Sequence, residues 1–270
     1  MATLTGAHAE RVLRARELQS VKGRKEHGRF VFEGPTLLEE ALRSGVAIEE
    51  LFVTEKVLGH NTAVRELDER GTPVYLIDDR AMRKISDVET PTGLVAVAEQ
   101  RTVRPEEVLA APLSLALADL SDPGNVGTLL RSAEAFGIQG VILGRLGVDP
   151  YHPKVVRGAM GALFRLRLAV AGATEFAAAV SAAGAQTVGL LAEGPNIASV
   201  PLRTPAVLVV GHERHGLGAW EVPGMHPAGI PMHGPVDSLN AATAGSIGLY
   251  VLAQRCQESP GSPKSQDFPR

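Results

Sequence analysis

Apolar and polar positions follow one pattern in residues 1–98 and a different one after residue 112. In the first part, a helical stripe of apolar residues in 35–44 lies among short apolar runs that predict strands. After residue 112, apolar runs without alternation are separated by helical segments. Such runs are typical of a largely parallel sheet that is covered on both faces. The pattern therefore predicts a small α/β unit followed by a larger, mostly parallel α/β domain.

The pattern also assigns individual elements. The predicted helices are 10–21, 35–44, 79–85, 126–136, 152–163, 174–183 and 238–254. The predicted strands are 30–33, 48–54, 73–77, 93–98, 113–118, 140–143, 164–170, 187–192, 206–210 and 229–232.

Residues 99–112 mark a boundary, because they have no clear apolar period and contain two prolines. We expect a first domain at 1–100, a linker at 101–112, a second domain at 113–256 and a disordered tail at 257–270. The tail is predicted from its polar, proline-rich composition.

Composition narrows the class of protein. The chain has 270 residues, of which 44% are hydrophobic, so it is long enough to bury a core. No apolar run reaches the roughly 18 to 20 residues of a spanning helix, and the N-terminus has no apolar segment of signal-peptide length. Cys256 is the only cysteine, which excludes an internal disulfide, and no Cys/His cluster has zinc spacing. We expect a cytoplasmic protein with no membrane partner and no metal.

Charge is distributed unevenly along the chain. The net charge is −3, but residues 1–30 hold seven basic and three acidic side chains, a balance of +4, which leaves −7 for the remainder. This asymmetry is consistent with a local contact to a polyanion, in which Arg24, Lys25 and Arg29 would bind phosphates. A solvated helix face explains the charge equally well.

Three polar, glycine-containing segments follow predicted strands of the second domain, at 118–137, 209–218 and 230–245. Open α/β sheets place ligand sites at the carboxyl ends of their strands. The chain contains only four asparagines, and two of them, Asn125 and Asn240, lie in these segments.

In the first segment, Asn125 lies at or near a predicted helix start, where asparagine is a good cap. Arg131 lies six residues on, roughly 120° away around the helix, so only a long side chain would reach back over the strand ends. In the second, Glu213 directly follows a buried strand, where a carboxylate needs a partner. In the third, Ser238-Leu239-Asn240 opens a helix rich in small residues.

Each segment alone also has a plain structural interpretation: a capped helix with an exposed arginine, a glycine-rich loop, and a capped, tightly packed helix. Motifs of other enzyme classes are absent from the sequence, including GxxxxGK[ST], GxGxxG after a strand, GxSxG and HExxH.

Taken together, the segments resemble the three signature motifs of the SpoU (TrmH-like) branch of the SPOUT RNA methyltransferases. The matching stretches are DPGNVGTLLRSAEAFG (122–137), GHERHGLG (211–218) and IPMHGPVDSLN (230–240). Residues 151–164 are similar to the family segment between the first two motifs. Residues 10–98 resemble the small substrate-binding domain that often precedes the catalytic one. One departure is the run Ala-Ala-Thr-Ala after SLN, where the family usually has Val-Ser-Val-Ala; we expect altered helix packing and retained cofactor binding.

The resemblance implies a C-terminal trefoil knot, S-adenosylmethionine as cofactor, transfer of its methyl group to a ribose 2′-hydroxyl in RNA, and a homodimer. The residues it implies for each role follow. The catalytic positions are Arg131, Asn125, Ser238, Asn240 and Glu213, with Ser238 tying the third motif to the first and Glu213 bracing the loops. The cofactor-binding positions are Gly211, Ile230, Leu239, Leu191 and Met232. Arg157 joins Arg24, Lys25 and Arg29 as an RNA-binding position.

The role of Arg131 has two interpretations. The family position has been assigned as the base that deprotonates the hydroxyl, yet a guanidinium gives up its proton only at very high pH. We therefore prefer a clamp on a phosphate or on the developing alkoxide.

The N-terminal domain resembles those of family members that modify ribosomal RNA, including some that confer resistance to ribosome-targeting antibiotics, so ribosomal RNA is the expected substrate. A tRNA 2′-O-methyltransferase and a non-catalytic RNA-binding module are the alternatives.

Overall fold

The computed structural model describes residues 3–4, 6, 9–235 and 238–258. The chain divides into two compact units. The first unit contains the described residues up to Arg101 together with Asp149–Phe164, and the second contains Thr102–Val148 and the described residues from Arg165 onward. The predicted second domain includes segment 149–164, whereas the contacts of this segment place it in the first unit. Most of the predicted tail lies outside the described residues.

The elements are numbered in chain order. The strands are β1 (Thr3–Leu4), β2 (Arg29–Glu33), β3 (Ile48–Val53), β4 (Val74–Leu76), β5 (Leu94–Glu99), β6 (Leu113–Leu117), β7 (Gly140–Gly144), β8 (Arg167–Ala171), β9 (Gln186–Leu190), β10 (Ala206–Val210) and β11 (His226–Ala228). The helices are α1 (Glu10–Glu17), α2 (Val21–His27), α3 (Pro35–Arg43), α4 (Glu55–His60), α5 (Thr62–Glu69), α6 (Asp79–Ile85), α7 (Pro105–Leu109), α8 (Pro123–Ala135), α9 (Pro153–Ala159), α10 (Ala162–Arg165), α11 (Ala173–Ala183) and α12 (Ala241–Glu258). Short 3-10 helices lie at Ile197–Ser199 and Gly218–Trp220.

The first unit is built on a mixed sheet of order β1-β4-β3-β5-β2, in which β5 runs antiparallel to both β2 and β3. The prediction of one helix over 10–21 is wrong, because the helix is interrupted between Glu17 and Val21. Ser20 adopts an extended conformation and its hydroxyl accepts from the Gly23 amide, which caps α2. Only glycine fits at 23, since a Cβ there would lie 2.2 Å from the Glu17 carbonyl oxygen.

Segment 149–164 belongs to the first unit through aromatic and polar contacts. The Tyr151 ring packs against Phe30 with centroids 4.6 Å apart, and its hydroxyl donates to the Arg101 carbonyl at 2.6 Å. Phe164 packs against Phe32 at 5.2 Å. A sequence pattern cannot show this packing, because the residues of each aromatic pair lie more than 100 positions apart in the chain.

The environment of Arg24 contradicts one of the predicted RNA contacts. Its side chain is fully buried, its Nε donates to Asp149 Oδ2 at 2.8 Å, and its Nη1 donates to the carbonyls of Leu18 and Gln19 at 2.9 and 3.0 Å. A guanidinium held in this way does not reach a phosphate, so the prediction for Arg24 was wrong.

The other predicted RNA contacts lie at the surface of the first unit. Lys25 is exposed, Arg29 is paired with Glu49, and Arg157 donates to both oxygens of Asp87 at 2.6 and 2.8 Å.

The second unit contains a parallel sheet of order β11-β9-β10-β6-β7-β8, which confirms the predicted architecture. The carboxyl ends of all its strands therefore lie along one edge. α12 packs closely against α8, and its small residues allow the tight packing that the sequence predicts for this helix. A Cβ at Gly245 would lie 2.5 Å from Leu129 Cδ2.

Two predicted elements of this unit end elsewhere. The strand predicted at 229–232 is wrong, and the observed strand, β11, ends at Ala228. Pro231 lacks an amide donor, and Gly229 packs against the backbone of Gly194, so the ladder does not continue. The helix predicted from 238 begins at Ala241, after the Asn240 side chain, which accepts from the amides of Ala242 and Thr243.

Within the described residues, no helix is both long enough and apolar enough to cross a membrane. The same part of the chain holds no group of three or more His, Cys, Asp and Glu side chains placed to bind a metal ion.

We expect Arg24→Met to destabilise the first unit by about 3 to 5 kcal/mol, because it leaves the largely buried Asp149 carboxylate without its cationic partner. The matched control, Arg29→Ala, removes an exposed ion pair and should cost no more than about 1 kcal/mol. Urea unfolding of the two variants measures both values. An Arg24→Met protein as stable as the wild type would contradict a structural role for the buried pair.

Candidate active site

Three loops of the second unit meet at the carboxyl edge of its sheet. The first connects β6 to α8, the second follows β10, and the third leads into α12. β6 and β10 are neighbours in the sheet, with Leu117 in register with Val210. Since both strands end at the same level, the side chains that follow them lie close together.

Asn125 lies in the first turn of α8, but it does not cap that helix. Asp122 is the cap, because its Oδ1 accepts from the Asn125 amide at 2.7 Å, and Pro123 occupies the first helical position. The prediction that Asn125 is the cap is therefore corrected to Asp122. The side-chain amide of Asn125 is left for contacts with other loops.

The Asn125 side chain joins the three loops. Its Nδ2 donates to Glu213 Oε1 at 2.9 Å, and its Oδ1 accepts from Asn240 Nδ2 at 3.0 Å. Ser121 donates a longer hydrogen bond to Glu213 Oε2 at 3.4 Å. The structure thus brings together three of the five predicted catalytic residues, and it adds Ser121.

Glu213 is ionised at neutral pH. Partial burial alone would raise the pKa of its carboxyl, but hydrogen bonds from Asn125 and from backbone amides outweigh burial and hold the pKa below its ordinary value. An ionised carboxylate only accepts hydrogen bonds, which fits the donors around it. The expectation that this carboxylate needs a partner is met by Asn125.

The loop after β10 folds back on itself at Gly211. His212 and Gly216 form an antiparallel bridge, with amide-to-carbonyl distances of 2.8 and 2.9 Å. A Cβ on Gly211 would lie 2.4 Å from the Gly216 carbonyl carbon, so only glycine permits this approach. The tight return places Glu213 beside Asn125.

A cavity of about 530 Å³ opens beside Glu213. All five residues predicted to bind a cofactor line it: Leu191, Gly211, Ile230, Met232 and Leu239. Glu213, Ser238 and Asn240 line it as well, together with the cation of Arg214. Residues 236 and 237 of the third loop lie outside the described residues.

The cavity walls suit a nucleoside that carries a charged tail. Leu190, Val210 and Ala244 add apolar surface for a flat base, and the glycines of the second loop leave backbone groups accessible. Polar side chains on one side supply partners for hydroxyl and charged groups. These residues therefore fit S-adenosylmethionine, the cofactor that the resemblance implies.

Two predicted catalytic residues stand apart from this network. Arg131 is exposed on α8, and Ser238 lies at the cavity; neither makes a hydrogen bond or an ion pair within the described part of the chain. The tie between the first and third motifs, expected from Ser238, is made by Asn240. The sequence-based predictions do not include Ser121, although it lies in the polar segment 118–137 that they single out.

Comparison with known proteins agrees with this geometry. The sequence profile of the SpoU rRNA Methylase family matches residues 112–250, and that of the MRM3-like substrate binding domain matches residues 9–96. The chain is 30% identical to the 23S rRNA (guanosine(2553)-2′-O)-methyltransferase RlmP of Bacillus subtilis (strain 168), over 93% of this chain and 99% of that protein.

Solved structures resemble both units. The AdoMet-bound rRNA methyltransferase of Sinorhizobium meliloti is 30% identical, with a TM-score of 0.82, over 95% of this chain and 99% of that one. The SpoU methyltransferase AviRb of Streptomyces viridochromogenes, in complex with AdoMet, is 25% identical, with a TM-score of 0.81, over 92% and 98%. With a family profile over more than half its length and a 30% identical relative along nearly all of it, this chain belongs to the SpoU rRNA Methylase family.

Proposed function

We propose that the protein transfers a methyl group from S-adenosylmethionine to a ribose 2′-hydroxyl in ribosomal RNA. One observation carries the proposal: Asn125, Glu213 and Asn240 form a hydrogen-bonded chain at the wall of a cavity that suits this cofactor. The full-length similarity to a 23S rRNA 2′-O-methyltransferase and to AdoMet-bound enzymes supports it.

The cofactor supplies an electrophilic methyl group on a sulfonium. Leu191, Ile230, Met232 and Leu239 would enclose its adenine and ribose, and the backbone at Gly211 would accept or donate at the edge of the base. Glu213 carries a negative charge on the same wall, where a sulfonium cation is favoured over a neutral thioether.

The chain must also handle the ribose hydroxyl, which is a weak nucleophile until its proton leaves or its developing charge is stabilised. Arg131 is the side chain we assign to this task, because it occupies the family position for this role and its guanidinium is exposed, without an ion partner among the described residues. It would hold a phosphate or the developing alkoxide. Asn125, Glu213 and Asn240 would keep the loops in place around it.

The two sequence-based alternatives have less support. If the target were tRNA, we would expect the relatives described above, which are similar along nearly the whole chain, to be tRNA enzymes. Their names describe them as ribosomal RNA methyltransferases. A non-catalytic RNA-binding module would not need the bonded chain of Asn125, Glu213 and Asn240. A role in antibiotic resistance depends on which nucleotide is modified.

The proposal includes RNA capture by the first unit, as its match to a substrate binding domain suggests. Lys25 is exposed for such a contact, whereas Arg29 and Arg157 would first exchange their carboxylate partners for phosphate. It also includes a trefoil knot, supported by likeness to the solved enzymes, and a cytoplasmic location, since an enzyme of ribosomal RNA works where ribosomes are made.

A homodimer is part of the same proposal. On the second unit, α12 exposes Ile247 and Tyr250, and the Tyr250 ring packs edge-on against Phe136 at 5.6 Å. A cavity of about 690 Å³ lined by Phe136, Ile138 and Leu166 lies on the same unit. Exposed apolar groups that cluster in this way mark an interaction surface.

We expect the purified chain to bind S-adenosylmethionine and to methylate in vitro transcribed 23S ribosomal RNA at a 2′-hydroxyl. Transfer of a radiolabelled methyl group, followed by alkaline hydrolysis, identifies the position, because a 2′-O-methyl group blocks cleavage at that nucleotide. Transfer RNA serves as the competing substrate. A methyl group found on a base, or cofactor binding absent by calorimetry, would contradict the proposal.

Arg131→Ala should keep the fold, because an exposed substitution costs no more than about 0.5 kcal/mol. The affinity for S-adenosylmethionine should be unchanged, and kcat should fall by about 10² or more, the scale of losing one preorganised electrostatic group. If Arg131 is a clamp, the kcat of Arg131→Lys should stay low at every pH. Recovery of kcat at high pH in Arg131→Lys would instead identify a base. The control is Arg104→Ala, which removes another exposed arginine of this unit and should leave kcat unchanged.

Tyr250→Asp should shift the protein from dimer to monomer, because it places a charge in the apolar surface of α12. Size-exclusion chromatography with light scattering at micromolar concentration gives the mass. Ala178→Asp, at an exposed position of α11 in the same unit, should leave the dimer intact. A wild-type protein that elutes as a monomer would overturn the dimer.

A further inference from the structure

Asp119 combines an unusual backbone conformation with a position next to the candidate site. It follows β6 and precedes Ser121 and Asn125 in the first loop. Its φ of 52° lies in the left-handed region, where Met160 is the other non-glycine residue in the described part of the chain. Aspartate and asparagine tolerate this region better than most residues, but it is held only where the surroundings enforce it.

The Asp119 carboxylate accepts one hydrogen bond on each oxygen. Oδ1 accepts from the Leu146 amide at 3.0 Å, and Oδ2 accepts from Trp220 Nε1 at 2.9 Å. The Trp220 side chain is 2% exposed, and its ring packs against Phe176 with centroids 4.9 Å apart. Asp119 thus joins the β6 loop to the loop after β7 and to the 3-10 helix that follows the second motif.

Close packing prevents the Asp119 turn from shifting. A Cβ on Gly144 would lie 2.4 Å from the Asp119 amide nitrogen, and one on Gly147 would lie 2.9 Å from the Asp119 carbonyl carbon. The Val148 amide donates to the Leu120 carbonyl at 2.9 Å. The turn has one well-packed position against the loop after β7.

Hydrogen bonds at two separate places therefore join the same pair of segments. Asn125 and Ser121 reach Glu213, and Asp119 reaches Trp220, which lies seven residues after Glu213. Contacts at two places hold both the distance and the rotation between the segments, whereas contacts at Glu213 alone would allow the segments to rotate about that residue.

We propose that Asp119 is a positioning residue of the methyltransferase site, which sets the first and second loops in the register that lets Asn125 donate to Glu213. Its catalytic consequence rests on the proposed function. An aspartate is required because both donors need an acceptor. Asparagine offers one acceptor oxygen and would turn an N–H toward either Leu146 or Trp220.

The experiment compares Asp119→Asn, Trp220→Phe and the double variant, with kcat, KM for RNA and cofactor affinity measured for each. Asp119→Asn should lower kcat by about 10-fold or more, because small misplacements of reacting groups are costly, with little change in KM. In the Trp220→Phe protein the same substitution should cost far less, because the opposing donor is gone. Equal losses of kcat in the two backgrounds would overturn the proposal.

A second readout does not depend on activity. Asn125 holds the pKa of Glu213 down, so a displaced loop should raise that pKa, measured by carbon NMR of the carboxyl in a pH titration. Loss of the Asp119 charge alone would shift it the opposite way, toward lower pKa, so the sign separates the two causes. Trp220→Phe changes no charge and should also raise it.

Glu107→Gln is the matched control. Glu107 also accepts one backbone and one side-chain N–H, both from Arg104, in the same unit. It should change neither kcat nor the pKa of Glu213. A folded Asp119→Asn protein with wild-type kcat, or with the Glu213 pKa unchanged or lowered, would overturn the positioning role. A wild-type protein without methyltransferase activity would overturn the proposed function instead, while the Glu213 titration would still decide the position of the loop.

Discussion

The Asn125 side-chain amide is oriented by its neighbours, and the arrangement of the three loops depends on that orientation. At one end, the amides of Ala242 and Thr243 donate to Asn240 Oδ1, so the Asn240 amino group must point to Asn125. At the other end, the ionised Glu213 carboxylate can only accept, so the Asn125 amino group must point to it. A reversed amide would place donors against donors and an oxygen against a carboxylate. The hydrogen bonds therefore run in one direction from the start of α12 to Glu213.

This direction explains which residue types the three positions tolerate. Aspartate at 125 or 240 would have no donor, and glutamine at 213 would place an amino group where Asn125 donates or where Ser121 reaches. Arg131 lies outside this network and makes no hydrogen bond or ion pair with the residues that the structure describes. Loops that are already held in place by hydrogen bonds, with an exposed cation on the helix that follows one of them, form an arrangement in which electrostatic stabilisation needs little reorganisation during the reaction.

Sequence could predict the parallel sheet and the location of the site, because both depend on local properties. Apolar runs such as 206–210 have no alternation, and the polar segments follow them directly. The five cofactor positions came from a family resemblance, and the cavity lining agrees with them. The partner of each side chain could not be predicted. The cap of α8, by contrast, could have been predicted, because Pro123 suits the first helical position and so favours Asp122 over Asn125 as the cap. Asp119 gave no indication, because its left-handed backbone depends on Gly144 and Gly147, some 25 residues away.

Charge was the least informative property, and Arg24 shows why. Counting cations in residues 1–30 treats each as a surface charge, yet Arg24 is fully buried against a carboxylate 125 residues away, whereas its neighbour Lys25 is exposed. α2 turns through about 100° between adjacent residues, so one side chain faces the core while the next faces solvent. Arginine suits the inner position, because its planar group donates to Asp149 and to two carbonyls at once. The same charge that suggested RNA binding therefore holds segment 149–164 against α2 within the first unit.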